Sequence, residues 1–355
     1  MKYILFAAIV IAVFFGFDIG STFLRWLGRI HMGWKDRNAW REAVEKSARK
    51  QKAWSGTIPL TDQTRFTWPE RIGGRWRSER VQAWQMNALN IALEGKAREF
   101  DDSGNSPEAC PAALYALLQG QYEEAAAKLA ENLLAKAGEG TLPYTPALPD
   151  VRFADSLQML CPFLFYYGER MRDLRATDLA LRQLEEFNRL GTELRTGLPF
   201  HALDTRNAAP LGICGWGRGA AFWFLAFAES AVVTTGDTRE ALLIKAQEAA
   251  EILLRYRLPD GAWSAALLTD TRPESSATAM IGYGMWLTGA LCEIPEYMQA
   301  AVQARSALMA MTRKDGTVDF AQGDTRGIGV YSNLRRELPL AQAYALRLAN
   351  ALVHL

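Results

Sequence analysis

Residues 219–257 read GAAFWFLAFAESAVVTTGDTREALLIKAQEAAEILLRYR. Gly219–Thr234 and Arg239–Arg257 both read as helices, and Gly236-Asp237-Thr238 separates them. A turn as short as Val233–Thr238 folds the second helix back beside the first. The same rhythm extends in both directions. Helices are expected over Glu79–Phe100, Pro111–Leu118, Tyr122–Lys136, Phe153–Arg170, Ala176–Leu190, Ser275–Leu291, Pro295–Thr312 and Leu338–Leu352. Long loops rich in Gly, Pro, Asp and Thr interrupt it at Gly138–Asp150, Thr196–Gly217, Leu258–Pro273 and Lys314–Asn333. Alternating β-branched runs are scarce, so no large sheet is expected. Paired helices whose long loops emerge at one end describe an all-α toroid with a loop-built concave face. A helical solenoid is the alternative, but no fixed period supports it.

The chain has 355 residues, 49% of them hydrophobic, enough for one large core or two ordinary domains. Its 40 basic and 39 acidic residues nearly cancel, which argues against a nucleic-acid binder. The Arg/Trp-rich stretch Arg71–Arg80 runs into apolar residues at helical spacing and reads as the lead into a helix. The chain is rich in aromatic residues; most belong to the core, and some suit a sugar cleft. Cys110, Cys161, Cys214 and Cys292 include no CxxC pair, and Cys161 and Cys292 read as buried thiols. With only His31, His201 and His354, a multi-histidine metal site is nearly excluded. No metal and no cofactor is expected.

Lys2 precedes an apolar run from Tyr3 to Phe17 that stops at Asp18. No clear cleavage site follows, so residues 1–33 read as a signal anchor, with a cleaved signal peptide as the alternative. Residues 34–55 are polar and charged and read as a linker or an exposed helix, and 34–74 together as a linker and lead-in segment. Residues 75–355 are expected to form one helical domain that carries whatever chemistry the chain performs. A signal-type start directs the body to the periplasmic side of a bacterial inner membrane on a single-pass anchor. Arg25, Arg29, Lys35 and Arg37 argue for the opposite side.

No P-loop, nucleophile elbow, zincin motif or calcium loop is present. Gly215-Trp216-Gly217-Arg218-Gly219-Ala220 matches a dinucleotide fingerprint formally, but lacks the preceding strand and the βαβ context. Chemistry-bearing residues gather instead in four segments. Asp155 opens the helix that runs to Pro162-Phe163-Leu164. His201 lies in Thr196–Asp204. Trp216 and Arg218 stand among glycines, followed by Phe222 and Trp223. Glu274 precedes Ser275-Ser276-Ala277-Thr278-Ala279. A helix start favours an anionic carboxylate at Asp155, whereas burial beside Phe153 raises its pKa. Asp155 could merely cap, His201 could be a core histidine, and Arg218 could form a helix-start salt bridge. Glu274 reads as structural.

Taken together, these four segments resemble the unsaturated uronyl hydrolases of glycoside hydrolase families 88 and 105, over about Glu139 to Asn333. The resemblance implies an (α/α)6 barrel. It implies removal of a 4,5-unsaturated uronic acid from the non-reducing end of an oligosaccharide by hydration of its vinyl ether double bond. Asp155 would serve as general acid and then base. Asp102 is the nearest match to the family's second carboxylate, with Asp101 and Glu108 as rivals. His201, Trp216 and Arg218 would line the sugar subsite, Arg218 against the substrate carboxylate. The family continues its Trp-x-Arg-Gly with Asn-Gly-Trp; here Ala220-Ala221-Phe222 stands there, so Phe222 and Trp223 are the candidate aromatic platforms. The rival readings are a catalytically lapsed glycan-binding toroid and another carbohydrate-active enzyme on the same fold.

Overall fold

The computed structural model describes residues 2–52, 57–59, 78–80, 83–95, 100–325 and 327–354. In chain order these residues form α1 (Lys2–Gly28), α2 (Arg37–Lys52), β1 (Thr57–Pro59), β2 (Ser78–Arg80) and α3 (Ala83–Glu94). A 3-10 turn at Pro107–Ala109 leads into α4 (Cys110–Leu118) and α5 (Glu123–Ala137). Then come β3 (Val151–Phe153), α6 (Ala154–Met171), α7 (Leu174–Leu190), β4 (Phe200–Asp204) and β5 (Ala209–Cys214). The remainder is α8 (Gly217–Val232), α9 (Gly236–Leu254), α10 (Ser275–Cys292), α11 (Pro295–Met311), β6 (Ala321–Gln322), β7 (Arg335–Arg336) and α12 (Pro339–Ala351).

The helices form two concentric layers. In the inner ring α3, α4, α6, α8, α10 and α12 each pack on the next, and α12 closes back on α3. Outside it, α5 backs α4, α7 backs α6, α9 backs α8, α11 backs α10, and α2 lies on α12 and α3. Composition separates the layers. Helix α8 is apolar nearly all round and is buried from Gly217 through Ala228. Helix α9 buries only Leu242, Ala246, Ala249, Ala250 and Leu253, a single stripe at helical spacing. An inner helix has neighbours on every side; an outer one faces water on its far side.

The expected lead-in region differs in detail. Within the span 34–74, α2 buries Trp40, Val44 and Ala48 completely, one turn apart. The Trp40 Nε1–H donates to Thr312 Oγ1 at 2.9 Å. Residues 37–52 are thus an outer helix of the barrel with one buried face. Of Arg71–Arg80 only Ser78–Arg80 is described, and it pairs with Thr57–Pro59 as a strand; the helix begins at Ala83. The rest of that stretch lies outside the described residues.

Among the described residues no helix is long and apolar enough to cross a membrane, so the expected anchor has no span to correspond to it. Helix α1 exposes Phe6, Val13, Phe17, Phe23 and Leu24. Its last turn is tied to the barrel: the Gly28 carbonyl accepts from Asp315 N–H at 3.0 Å, and the Ile30 carbonyl from Lys314 N–H at 2.8 Å.

Candidate active site

The small sheet β3-β4-β5 is antiparallel and sits at the mouth of the ring. It sets Phe153 opposite Ala202 and therefore beside His201. One residue past β3, the chain turns into α6 and delivers Asp155 in its first turn. Two glycines shape the opposite wall. Gly215 takes φ +69°, a conformation that side-chain-bearing residues rarely adopt. Gly217 lies so close to the Ser264 carbonyl oxygen that any Cβ would collide with it. This close approach seats Trp216 and Arg218 at the start of α8.

A cleft of about 200 Å³ results, lined by Trp84, Glu108, Tyr144, Asp155, Asp324 and Thr325, with Phe153, His201, Trp216 and Arg218 completing the wall. Its size fits about one sugar ring. Asp155 Oδ1 is buried without a hydrogen-bond partner. Burial pushes its carboxyl up to about 7, against the pull of Arg218 and its own backbone amide, with Asp324 adding a smaller push upward. Asp324 is also raised by burial, and Gln85 Nε2 donates to its Oδ2 at 2.6 Å.

His201 is buried among aromatics. Its ring centroid lies 4.5 Å from Trp216, 5.3 Å from Phe153 and 5.4 Å from Tyr331. Burial, and then Arg218, depress its pKa to about 4, so the ring is neutral over the usual pH range. Its Nδ1 lies 3.0 Å from the Tyr331 hydroxyl, which already accepts from Ile213 N–H at 2.9 Å. The hydroxyl's one proton is then best donated to Nδ1, which accepts it in a hydrogen bond and leaves Nε2–H as the donor of the neutral ring.

Arg218 is 3% exposed and largely committed. Its Nη1 donates to the Gln322 carbonyl at 2.7 Å and to Ser276 Oγ at 3.3 Å, and its Nη2 to the Gly323 carbonyl at 3.1 Å. Its guanidinium carbon also lies 4.9 Å from the Trp216 ring centroid. The expected fork for a substrate carboxylate is instead a brace for the 321–324 loop, and its charge is felt by Asp155. Glu274, read as structural, caps α10 by accepting from Ser276 and Ala277 N–H, and it also holds Gln322 N–H at 2.7 Å.

The structure brings together Asp155, His201, Trp216 and Arg218. It does not bring in three other expected residues. Asp102 lies outside the cleft, partly exposed and paired with Lys128 Nζ at 3.0 Å. Its rival Glu108 lines the cleft and accepts from the Tyr144 hydroxyl at 2.6 Å. The difference arises because Asp101 accepts from Ser103 N–H and Oγ, closing a local turn, after which Pro107–Ala109 carries Glu108 inward. Phe222 is buried behind Trp84, edge-on at 5.9 Å. Trp223 is buried against Phe227 and Asn188. Both are core, because α8 is enclosed by helices on every side. Trp84, Asp324 and Tyr331 join the site without having been singled out. Each comes from a distant segment, and only the Gly/Asp-rich composition of Lys314–Asn333 hinted that its loop matters.

A closed ring of helices with an acid-lined cleft at its mouth defines a helical toroid. The comparisons give the family. The model of Glycosyl Hydrolase Family 88 matches residues 103–333, and the chain belongs to that family. Among solved structures, it is similar to a protein from Klebsiella pneumoniae described as a possible member of the GH105 family. The identity there is 16% and the TM-score 0.69, over 90% of this chain and 93% of that one. It is also similar to a family 88 glycosyl hydrolase from Bacteroides vulgatus, at 15% identity and TM-score 0.63, over 90% and 99%. A third is the unsaturated glucuronyl hydrolase from Bacillus sp. GL1, responsible for the degradation of glycosaminoglycan, at 17% identity and TM-score 0.57, over 87% and 94%. No curated protein matches the chain.

Proposed function

We propose that the protein removes a 4,5-unsaturated uronic acid from the non-reducing end of an oligosaccharide, with Asp155 as the proton donor. The observation that carries this reading is the state of Asp155: a carboxyl buried in a sugar-sized cleft, with a bare Oδ1 and a pKa pushed up to about 7. Such a group is protonated below neutrality and gives up its proton easily, as a general acid must.

In this reading the Asp155 proton goes to one carbon of the vinyl ether double bond. The cation left on the neighbouring ring carbon is shared with the ring oxygen. Water adds there while the Asp155 carboxylate takes up its proton, which restores the acid. The product is a hemiketal that opens and expels the remaining sugar. Trp216 and Tyr144 supply ring faces, and the neutral His201 supplies a donor that does not compete for the proton. Glu108, held by Tyr144, is the second carboxylate. The presence of Glu108 and Asp324 beside Asp155 favours an active enzyme over a lapsed glycan-binding toroid.

The decisive assay incubates the purified protein with a panel of lyase-generated unsaturated disaccharides and follows loss of the double-bond absorbance. Turnover of at least one, absent in Asp155→Asn, supports the reading. A folded protein that consumes none of them overturns it. We also place the body at a bacterial inner membrane, on the periplasmic side, attached through α1. The exposed apolar side chains of α1 support this placement, since so much bare apolar surface calls for a cover. Fractionation with and without residues 1–27 tests it.

A further inference from the structure

A second cavity, about 400 Å³, lies away from the Asp155 cleft, between the start of α2, Arg305 of α11 and the end of α12. Lys35, Arg37, Arg41 and Arg305 line it, with His354 at the rim. The acid present, Asp36, is engaged elsewhere: its Oδ1 caps α2 by accepting from Asn38 N–H at 2.8 Å and Ala39 N–H at 3.1 Å. Among the described residues, Lys35, Arg41 and Arg305 thus share a concavity with one carboxylate, and that carboxylate faces a helix start.

Arg305 makes this more than a basic surface. It is 4% exposed, yet among the described residues no acid pairs with it. Its Nη1 donates to the Leu352 carbonyl at 3.1 Å, and its Nε is buried with no partner. Arg41 Nε is buried and unpartnered as well. A buried guanidinium beside a second cation is costly unless an anion completes the group. Burial, and then the nearby Arg37, weaken its hold on its proton. Nothing in the proposed hydrolysis uses these residues.

We propose that this cavity is a binding site for a phosphate-type oxyanion, whether carried by an acidic phospholipid headgroup or free in solution. Guanidinium forks match the oxygen geometry of phosphate. The volume exceeds that of a bare phosphate and accommodates a glycerophosphate headgroup. The lipid source has one further support. Lys35 follows the last residue of α1 by seven positions, so the site lies within about 25 Å of chain from an exposed apolar helix.

The test uses the full chain in a zwitterionic detergent. Inorganic phosphate is titrated by calorimetry, and vesicles of phosphatidylglycerol are compared with vesicles of phosphatidylcholine by co-sedimentation. The variants are Arg305→Gln and, because Arg305 also holds the α12 terminus, the double change Lys35→Gln with Arg41→Gln. Saturable phosphate binding that weakens about tenfold or more in the double variant supports the site. Selective capture by phosphatidylglycerol vesicles, lost in that variant, adds the lipid as source. Phosphate binding without vesicle selectivity assigns a soluble source. No phosphate binding and no vesicle selectivity, or binding that the double variant leaves unchanged, overturns the proposal. Disaccharide turnover in the double variant stays at the parent level, which keeps this outcome separate from that of the Asp155 cleft.

Discussion

Arg218 Nη2 stands 3.8 Å from Asp324 Oδ1, a looser approach than its bonds to the Gln322 and Gly323 carbonyls. The guanidinium is thus a fixture of the 321–324 loop, and both Asp324 and Asp155 feel its charge. Asp324 stays in the cleft because Gln85 on α3 grips its other oxygen.

Removing the Arg218 cation therefore costs stability as well as activity. Arg218→Leu leaves two carbonyls and a buried carboxylate without their partner, a loss of about 3 kcal/mol or more. Thermal melting should show a clear drop, and Arg218→Lys should recover part of it. A Leu variant that melts like the parent but binds substrate poorly would instead make Arg218 a pure ligand contact.

Asp155 and His201 should pull stability in opposite directions with pH. Asp155 rises from 3.8 to about 7 on folding, so the native state holds a proton that the unfolded chain has lost between those values. Stability from this group is full below about 4 and is lost as pH rises to 7. His201 falls from 6.5 to about 4, so its contribution is full above 6.5 and is lost as pH falls to 4. Each unit is worth ~1.4 kcal/mol at most. These two contributions largely offset each other between pH 4 and 6.5. Denaturant unfolding should show stability rising with pH in Asp155→Asn and falling in His201→Gln, relative to the parent. Equal pH dependence in all three proteins would refute the opposed shifts.

Glu108 and Asp102 separate cleanly by variant. Asp102→Asn breaks a partly exposed pair with Lys128, worth about 0–1 kcal/mol, and should leave turnover at the parent level. Glu108→Gln alters a carboxylate inside the cleft and should lower kcat by about tenfold or more with the fold intact. The opposite ranking in steady-state assays would restore Asp102 as the second carboxylate.

The ring itself was legible because helical period and loop length are local properties. The short turn after α8 and the long loops around Gly215 and Gly261 mark which ends face the cleft. The aromatic platforms were not legible. Phe222 and Trp223 follow the Trp-x-Arg-Gly segment after two alanines, but a helix turns successive side chains by about 100°, and α8 is enclosed all round. Trp84, Asp324 and Tyr331 reach the site by ring closure between α12 and α3 and by the fold of one long loop. Neither leaves a periodic trace. Asp102 was the nearest match among three neighbouring acids, and sequence spacing could not show that a local Asp-Ser turn at Asp101 would carry Glu108 to the cleft instead.

Asp155 should be the residue that activity cannot survive losing, and its loss should not weaken the fold. The carboxyl sits in the first turn of α6 with Oδ1 bare and buried, so at pH 8 its ionised form carries an unrecovered desolvation cost. Asparagine keeps the shape and removes that charge. Asp155→Asn should therefore match the parent's stability near pH 4 and exceed it at pH 8. Turnover should fall by ~10²–10⁴-fold, because in the proposed reaction one carboxyl performs both proton steps. Glu108 and Asp324 line the same cleft, but Tyr144 occupies the first and Gln85 the second. In the parent, kcat/KM on an unsaturated disaccharide should decline as pH rises through about 7, where Asp155 loses its proton. His201, neutral above about 4, should add no limb in that range. A flat profile from pH 5 to 9, or an Asp155→Asn protein that turns over at near the parent rate, would remove Asp155 from the chemistry.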